Sequence, residues 1–599
     1  MTDSQTFLLP QTLPALLRQR AEAHGDALFI QLAEDRGGEI PLSSRAVWEL
    51  AQETAASLQA HGLKSGDRVM LGLPTGIDFL RLFFGISLAG AVPVPFYPPA
   101  RTKGVEDYEN HLAALIGKAE PRLVFAMDRA RLVTESAAMK AGSRAQVLTP
   151  DALKPGGVYV APAEDPQALA LIQFTSGSTR APRGVMLTHQ ALLANTAAFL
   201  EAIEIGPEDR TVSWLPLYHD MGLIGTVLMC LSAGIPIFLM SPQVFLLDVK
   251  RWLWAMHRFR ATITVAPNFA YQLVLNRVSD AQLEGLDLSR WRLAACGAEP
   301  ILPATLEAFG KRLEPYGFDP RALTPVYGMA EVAVAASAPP MWRGMRVDTI
   351  SGDMLEASGK AAPVEPRGRE AHVVSVGSPL PGYRMRIASP EGQALPERET
   401  GEIQIQGPSV MAGYLGDAEA TEAAFVDGWL RTGDLGYMVE GELYIVGRIK
   451  DLILKGGRNY APQDFEALAS EVDGVRQGCV AAFGASDPET GTERIVILAE
   501  TRESEDAHAA IARAIASRIS QALGVQPDEV HLVEPGVLPK TSSGKIQRDK
   551  ARQNWLKGGL KAPVEPGLLA KTRIVGRAMA QRAVAQMGAV HLGRDKTDA

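Results

Sequence analysis

The chain has 599 residues, 46% hydrophobic and 21% charged, and a formal net charge of −8. At about 150 residues per domain that length exceeds one core. The charge argues against nucleic-acid binding through a basic surface, and the composition leaves little room for long disordered tracts. Cys230, Cys296 and Cys479 are far apart, odd in number and without metal-ligand spacing, which argues for a reducing compartment rather than a disulfide framework.

Asp3 stands where a secretory signal would carry positive charge, so no export signal is expected and the chain reads as cytoplasmic. Over 42–96 the pattern alternates helix and strand. Val47, Leu50, Ala51 and Leu58 mark one helical face that Gly62 ends, 68–73 is a short apolar strand, 77–88 a second helix, and 91–95 another strand. Similar strands are predicted at 122–126, 168–174, 211–215, 235–239, 261–265 and 292–296. Strands separated by helical stretches imply parallel sheets covered on both faces.

Residues 173–184 read Gln-Phe-Thr-Ser-Gly-Ser-Thr-Arg-Ala-Pro-Arg-Gly, a predicted strand end running into small and hydroxyl residues and then a basic exit. Small side chains let backbone N–H groups and hydroxyls close round phosphate oxygens, with Arg180 and Arg183 supplying charge at the mouth. A polar surface turn would carry the same residue types. It is not a Walker A loop, because no Gly-Lys pair of the chain is followed by Ser or Thr. Residues 221–240 are uncharged and long enough to span a bilayer. Gly234 and Pro236 break the run into a helix-length and a strand-length piece, so it reads as buried, with no membrane span.

Beyond Glu331 the texture changes. Residues 335–370, rich in Ala, Pro, Gly and charge, read as a long loop or insertion. Short strands at 384–387 and 401–406 suggest a small β-rich subdomain, and 442–446 is a further strand. A compact α+β pattern follows, with helix 462–472, strands 478–483 and 493–500, and helix 505–523. A domain boundary falls at 447–451.

Polar clusters follow several strands, at the edge where open α/β sheets bind ligands. They are Gly297-Ala298-Glu299-Pro300, Tyr327-Gly328-Met329-Ala330-Glu331 and Thr432-Gly433-Asp434-Leu435-Gly436, joined near the C-terminus by a basic loop, Leu538 to Arg548, that contains Lys545. Singly, each reads as a turn, a cap or a solvated loop. Together with 173–184, and in this order, they resemble the adenylate-forming superfamily of acyl-CoA synthetases, luciferases and peptide-synthetase adenylation domains. The resemblance spans roughly residues 10–560.

The resemblance implies an α/β fold: a large N-terminal domain of parallel-sheet αβ layers with a small β-rich subdomain, then a small, mobile α+β C-terminal domain. The divisions are 1–447 with the insertion at about 335–370, a hinge at 448–452 centred on Lys450, a lid at 453–562, and a basic tail at 563–599. It also implies attack of a carboxylate on the α-phosphorus of ATP, with Mg²⁺ spreading the phosphate charge. Thr175, Ser176, Gly177, Ser178 and Thr179 would wrap the phosphates, and Glu331 would hold Mg²⁺. Tyr327 would stack on adenine, beside Gly328 and Met329, and Gly297, Ala298 and Glu299 would line the base. Asp434 would accept both ribose hydroxyls, Arg448 would contact ribose or phosphate, and Lys545 would bridge substrate carboxylate and α-phosphate after domain closure.

Three segments are similar to the fatty-acyl-AMP ligases: Trp214 to Ile224, Ala266 to Tyr271 and Gly457 to Asp464. The uncharged run after Asp220 can line an apolar tunnel, with Met221, Gly222 and Phe269 at its walls, His219 as a gate and Asn268 nearby. A satisfied polar pair beside the core is the plainer reading of His219 and Asn268. An apolar tunnel suits a medium or long alkyl chain, each buried CH₂ adding about 0.8 kcal/mol. The insertion and Leu454, where a lysine often serves in thioester formation, favour an acyl carrier protein over CoA as acceptor. A fatty-acyl-CoA synthetase is the alternative. The tail from Lys557 carries eight basic and three acidic residues and would pack as a helix or dock an acidic carrier protein.

Overall fold

A computed structural model describes residues 9–35, 37–99, 105–175, 182–487, 492–541 and 544–559. Two parallel sheets carry the N-terminal part. One runs in the order Leu323–Pro325, Leu293–Cys296, Ile263–Ala266, Thr211–Ser213, Ile237–Leu239, Leu28–Ala33 and Glu39–Ser43, antiparallel only at its last pair. The other is four-stranded: Val92–Pro95, Arg68–Gly72, Leu123–Ala126 and Gln146–Leu148. Ile263–Ala266, Leu293–Cys296 and Leu123–Ala126 are buried at every position. That is why they read as continuous apolar runs: helices cover both faces. Helix Ile77–Leu88 is buried nearly all round, as its sequence LRLFFGISL requires.

In the seven-stranded sheet, Thr211–Ser213 has Ile237–Leu239 on one side and Ile263–Ala266 on the other. Successive strands therefore lead away in opposite directions from it, the kind of switch point at whose carboxyl ends open α/β sheets bind ligands. Trp214, Pro267 and Gly297 leave the sheet at this edge.

Three expectations are corrected. Strand Leu169–Phe174 joins neither parallel sheet; it pairs antiparallel with Gly184–Thr188, so the chain beyond Arg183 runs back along it as a strand. Residues 335–370 are not one long loop: Val347–Ser351 and Glu370–Val374 pair antiparallel around helix Gly352–Ser358, with its own small core at Ile350 and Ala361 against Tyr437 and Tyr444. Asp434 does not follow a strand end but lies inside Trp429–Val439, where Gly433 takes φ +70° and the pairing shifts register at Leu435/Gly436. The run 221–240 is broken as expected, but its helical piece contains a π-helical turn, Leu223–Leu228, before Met229–Ala233. Among the described residues no helix is long and apolar enough to cross a membrane.

The C-terminal residues build a separate core. Val475–Asp487, Thr492–Thr501 and Glu529–Val533 form a sheet, and helix Glu505–Leu523 lays Ile511, Ile515, Ile519 and Leu523 on it at four-residue spacing. Ser176, Gly177, Ser178, Thr179, Arg180 and the tail 563–599 lie outside the described residues.

Candidate active site

Local backbone geometry explains the small residues at the strand ends. A Cβ on Gly297 would lie 2.8 Å from the Val326 carbonyl oxygen, and one on Gly328 would lie 1.7 Å from that of Val334. Only glycine permits these approaches. Ala298 sits at φ +69°, a strained setting for a residue with a Cβ and of a kind that gathers at ligand sites. Gly222 is fixed in the same way, since its Cβ would meet the Pro216 carbonyl at 2.3 Å.

These turns aim the polar groups. Helix Asn268–Arg277 begins directly beyond strand Ile263–Ala266, and its Phe269 N–H donates to Glu299 Oε1 at 2.6 Å. Asn268 is buried, and its Oδ1 accepts from Leu302 N–H at 3.1 Å. Burial pushes the Glu299 carboxyl up against the Phe269 N–H and the charges of Lys545 and Lys540. His219 Nδ1 stands 2.6 Å from Asp220 Oδ1, which also accepts the Met221 N–H at 2.7 Å. Burial pushes the Asp220 carboxyl up, yet His219, Lys545 and that N–H together hold it below its ordinary value.

A second cluster joins two sheets. Tyr327 O–H donates to Asp434 Oδ2 at 2.8 Å, and Arg448 Nε donates to Asp434 Oδ1 at 2.7 Å. Asp434 and Arg448 are register partners on neighbouring strands, so the pair follows from the sheet itself. Both Asp434 oxygens, expected to be open for ribose, already hold one protein donor each; each keeps a second lone pair. Tyr327 is buried with its hydroxyl on Asp434. Glu331, in the short turn Ala330–Val332, is also buried and accepts the Tyr414 hydroxyl at 2.9 Å.

Lys545 enters from the C-terminal residues. Its loop is pinned by Thr541 N–H to Lys545 O at 2.7 Å and Lys545 N–H to Thr541 Oγ1 at 3.0 Å. Burial pushes the half-buried ammonium down, while the fields of Asp220, Glu299 and Asp434 pull it back up. Lysine and carboxylates from four distant stretches thus meet around one centre. Lys450 is exposed in the turn Ile449–Asp451, between strand Glu442–Arg448 and the first strand of the C-terminal core.

Phe269 belongs to an aromatic wall that sequence reasoning identified only in part. Trp214 stacks on Phe245 with centroids 3.9 Å apart and meets Phe269 edge-on at 5.9 Å. Met221 is buried beside the π-helical turn. Tyr414 and Phe245 were not singled out, since each is an apolar-looking residue whose partner is remote in sequence. Among the described residues no three His, Cys, Asp or Glu side chains gather as a metal cage. Mg²⁺ bound with a nucleotide needs less, one or two carboxylates with phosphate oxygens and water, and buried Glu331 fits that demand.

The two parallel sheets and the separate C-terminal core make an adenylate-forming enzyme fold. The chain belongs to the AMP-binding enzyme family, whose model matches residues 17–415, while a Disco-interacting protein 2-like AMP domain matches 450–564. A putative acyl-CoA synthetase of Caulobacter vibrioides is 37% identical over 511 residues, 84% of this chain and 88% of that protein. The medium-chain-fatty-acid–[acyl-carrier-protein] ligase JamA of Moorena producens is 33% identical over 87% of this chain and 90% of its own length. A solved structure from work on fatty acyl-adenylate ligases of E. coli and L. pneumophila matches with TM-score 0.87 at 34% identity, covering 92% of this chain and 99% of that one.

Proposed function

We propose that this protein is a fatty-acyl-AMP ligase that activates a medium- or long-chain fatty acid and passes it to the phosphopantetheine of an acyl carrier protein. The observation that carries the reading is Lys545, delivered by the C-terminal core into the field of Asp220, Glu299 and Asp434. The likeness to JamA and to the fatty acyl-adenylate ligases supports the substrate class and the acceptor.

In the reaction, a carboxylate oxygen of the fatty acid attacks the α-phosphorus of ATP. The bond from that phosphorus to the bridging oxygen breaks, and pyrophosphate leaves. Two anions approach, so the barrier is mainly electrostatic. Lys545 neutralises the carboxylate and the α-phosphate together. Asp434, already oriented by Tyr327 and Arg448, receives the ribose hydroxyls on its remaining lone pairs. Gly297, Ala298 and Glu299 line the adenine, and residues 175–179 with Arg183 take the β- and γ-phosphates. Glu331 would hold Mg²⁺, which supplies charge neutralisation at the phosphates when bound. The wall of Trp214, Phe245 and Phe269 receives the alkyl chain. Residues 448–452 act as the hinge of a lid spanning 453–562.

The test is direct. Purified protein is incubated with ATP, Mg²⁺ and fatty acids of graded length, with and without CoA, and products are read by mass spectrometry. Acyl-AMP that persists in the presence of CoA and is consumed by a phosphopantetheinylated carrier protein is the expected result. Prompt conversion to acyl-CoA overturns the acceptor assignment, and absence of any acyl-AMP overturns the whole reading.

A further inference from the structure

Tyr414 is held from three directions. Gly413–Tyr414 pairs with the strand that leaves the phosphate loop, in register Gly413 to Met186 and Tyr414 to Val185. Leu415 N–H donates to the Gly184 carbonyl at 2.8 Å, and Met411 N–H donates to the Glu331 carbonyl at 2.8 Å. On the far side, Thr421 Oγ1 accepts the Tyr414 N–H at 2.9 Å. Gly413, at φ +139°, has no room for a Cβ, which would lie 2.8 Å from Thr421 Cγ2. The backbone of Tyr414 is therefore a bridge between the phosphate-loop exit and the turn bearing Glu331.

The side chain spans the same gap. Its ring is buried and carries the Arg183 guanidinium 4.9 Å from its centroid, while its hydroxyl donates to Glu331 Oε1 at 2.9 Å. Arg183 in turn anchors the loop, its carbonyl accepting the Thr175 N–H at 2.9 Å. A phenol has one proton to give, and here a carboxylate takes it. Holding Oε1 fixes the plane of the carboxylate, and so the direction in which Oε2 presents.

We propose that Tyr414 is a positioning residue for the divalent cation: its hydroxyl orients Glu331, and its ring, clamped by Arg183, ties that orientation to the phosphate loop. The inference rests on the reading of Glu331 as the ligand of the cation. Groups that orient a metal-binding carboxylate typically contribute about 10–100-fold in metal affinity.

The experiment measures Mn²⁺ binding by electron paramagnetic resonance, using the full chain loaded with α,β-methylene-ATP. Metal-free AMP affinity and melting temperature serve as controls for the fold. Tyr414→Phe keeps the ring on Arg183 and removes only the hydroxyl; Mn²⁺ affinity is expected to fall about tenfold, with AMP affinity at the wild-type level. Tyr414→His, which retains a ring donor, recovers part of the loss and replaces the Phe variant if that one melts early. Glu331→Gln separates the two ideas. If it weakens Mn²⁺ binding while Tyr414→Phe binds as wild type, the positioning role is overturned and the ligand assignment stands. If Glu331→Gln itself binds Mn²⁺ as wild type, the ligand assignment falls and takes this inference with it.

Discussion

Among the buried carboxylates that face arginine, Asp209 and Glu356 are pushed in opposite directions by their environments. Asp209, beneath the seven-stranded sheet, is gripped by Arg292 at both oxygens, 2.7 and 2.6 Å, and also accepts from Gly206 N–H and the Thr262 hydroxyl. Burial pushes its carboxyl up, but four donors bring it below the ordinary value. Glu356, on helix Gly352–Ser358, meets Arg369 at 2.5 Å and Arg458 of the C-terminal core only at 3.9 Å. Among the described residues its Oε2 has no hydrogen-bond partner, and burial drives the carboxyl up to about 7 despite Arg369. An arginine nearby does not by itself keep a carboxylate charged. The number of well-placed donors decides. The first pair joins the starts of two strands; the second sits at a seam where helix Gly352–Ser358 meets the C-terminal residues.

That contrast can be broken at its strong end. Arg292→Met leaves Asp209 buried without its charged partner and is expected to lower unfolding free energy by about 3–5 kcal/mol, read by urea denaturation. A loss under 1 kcal/mol would show that the grip is not what holds Asp209. Next in size is Lys545→Ala, where charge serves the reaction rather than the fold. Removing a cation aimed at developing phosphate charge is expected to slow acyl-AMP formation about 10²–10³-fold, with the melting temperature unchanged. A Lys545→Ala protein as fast as wild type would remove this lysine from the chemistry.

The sheets were legible because burial on both faces writes continuous apolar strands, as in Ile263–Ala266 and Leu293–Cys296. The site residues were legible through motif order, not through contacts. Nothing in the sequence joins Tyr414 to Glu331, 83 positions apart, or brings Phe245 against Trp214. Pairing partners of short strands are also set by tertiary context. Strand Gly184–Thr188 went unread because Pro182 and Arg183 before it read as a basic exit, and the hairpin of Val347–Ser351 with Glu370–Val374 was missed because its strands are only half-buried and lack a clean alternation. Asp434 looked like a turn residue because Gly433 bends the strand it belongs to.

The smallest effect tests the weak end of the comparison through pH. A carboxyl raised to about 7 in the fold but near 4.5 when unfolded holds its proton longer in the native state. Stability therefore rises as pH falls from about 7 toward 5 and is flat above that window, by an amount on the order of 2 kcal/mol for Glu356. Asp209 has the reverse sign in a lower window: its depressed value contributes stability present above its ordinary pKa and lost as pH falls through the folded one. Asp353, Arg369, Arg458, Tyr460 and Asp464 surround Glu356 and shape the slope with it. Glu356→Gln, neutral at every pH, should flatten the melting curve between pH 5 and 7 in buffers matched for ionic strength while leaving the acid loss below pH 4 in place. An unchanged slope in that variant would mean the seam is hydrated enough to keep Glu356 ionised, and the two carboxylates would then differ in position but not in charge.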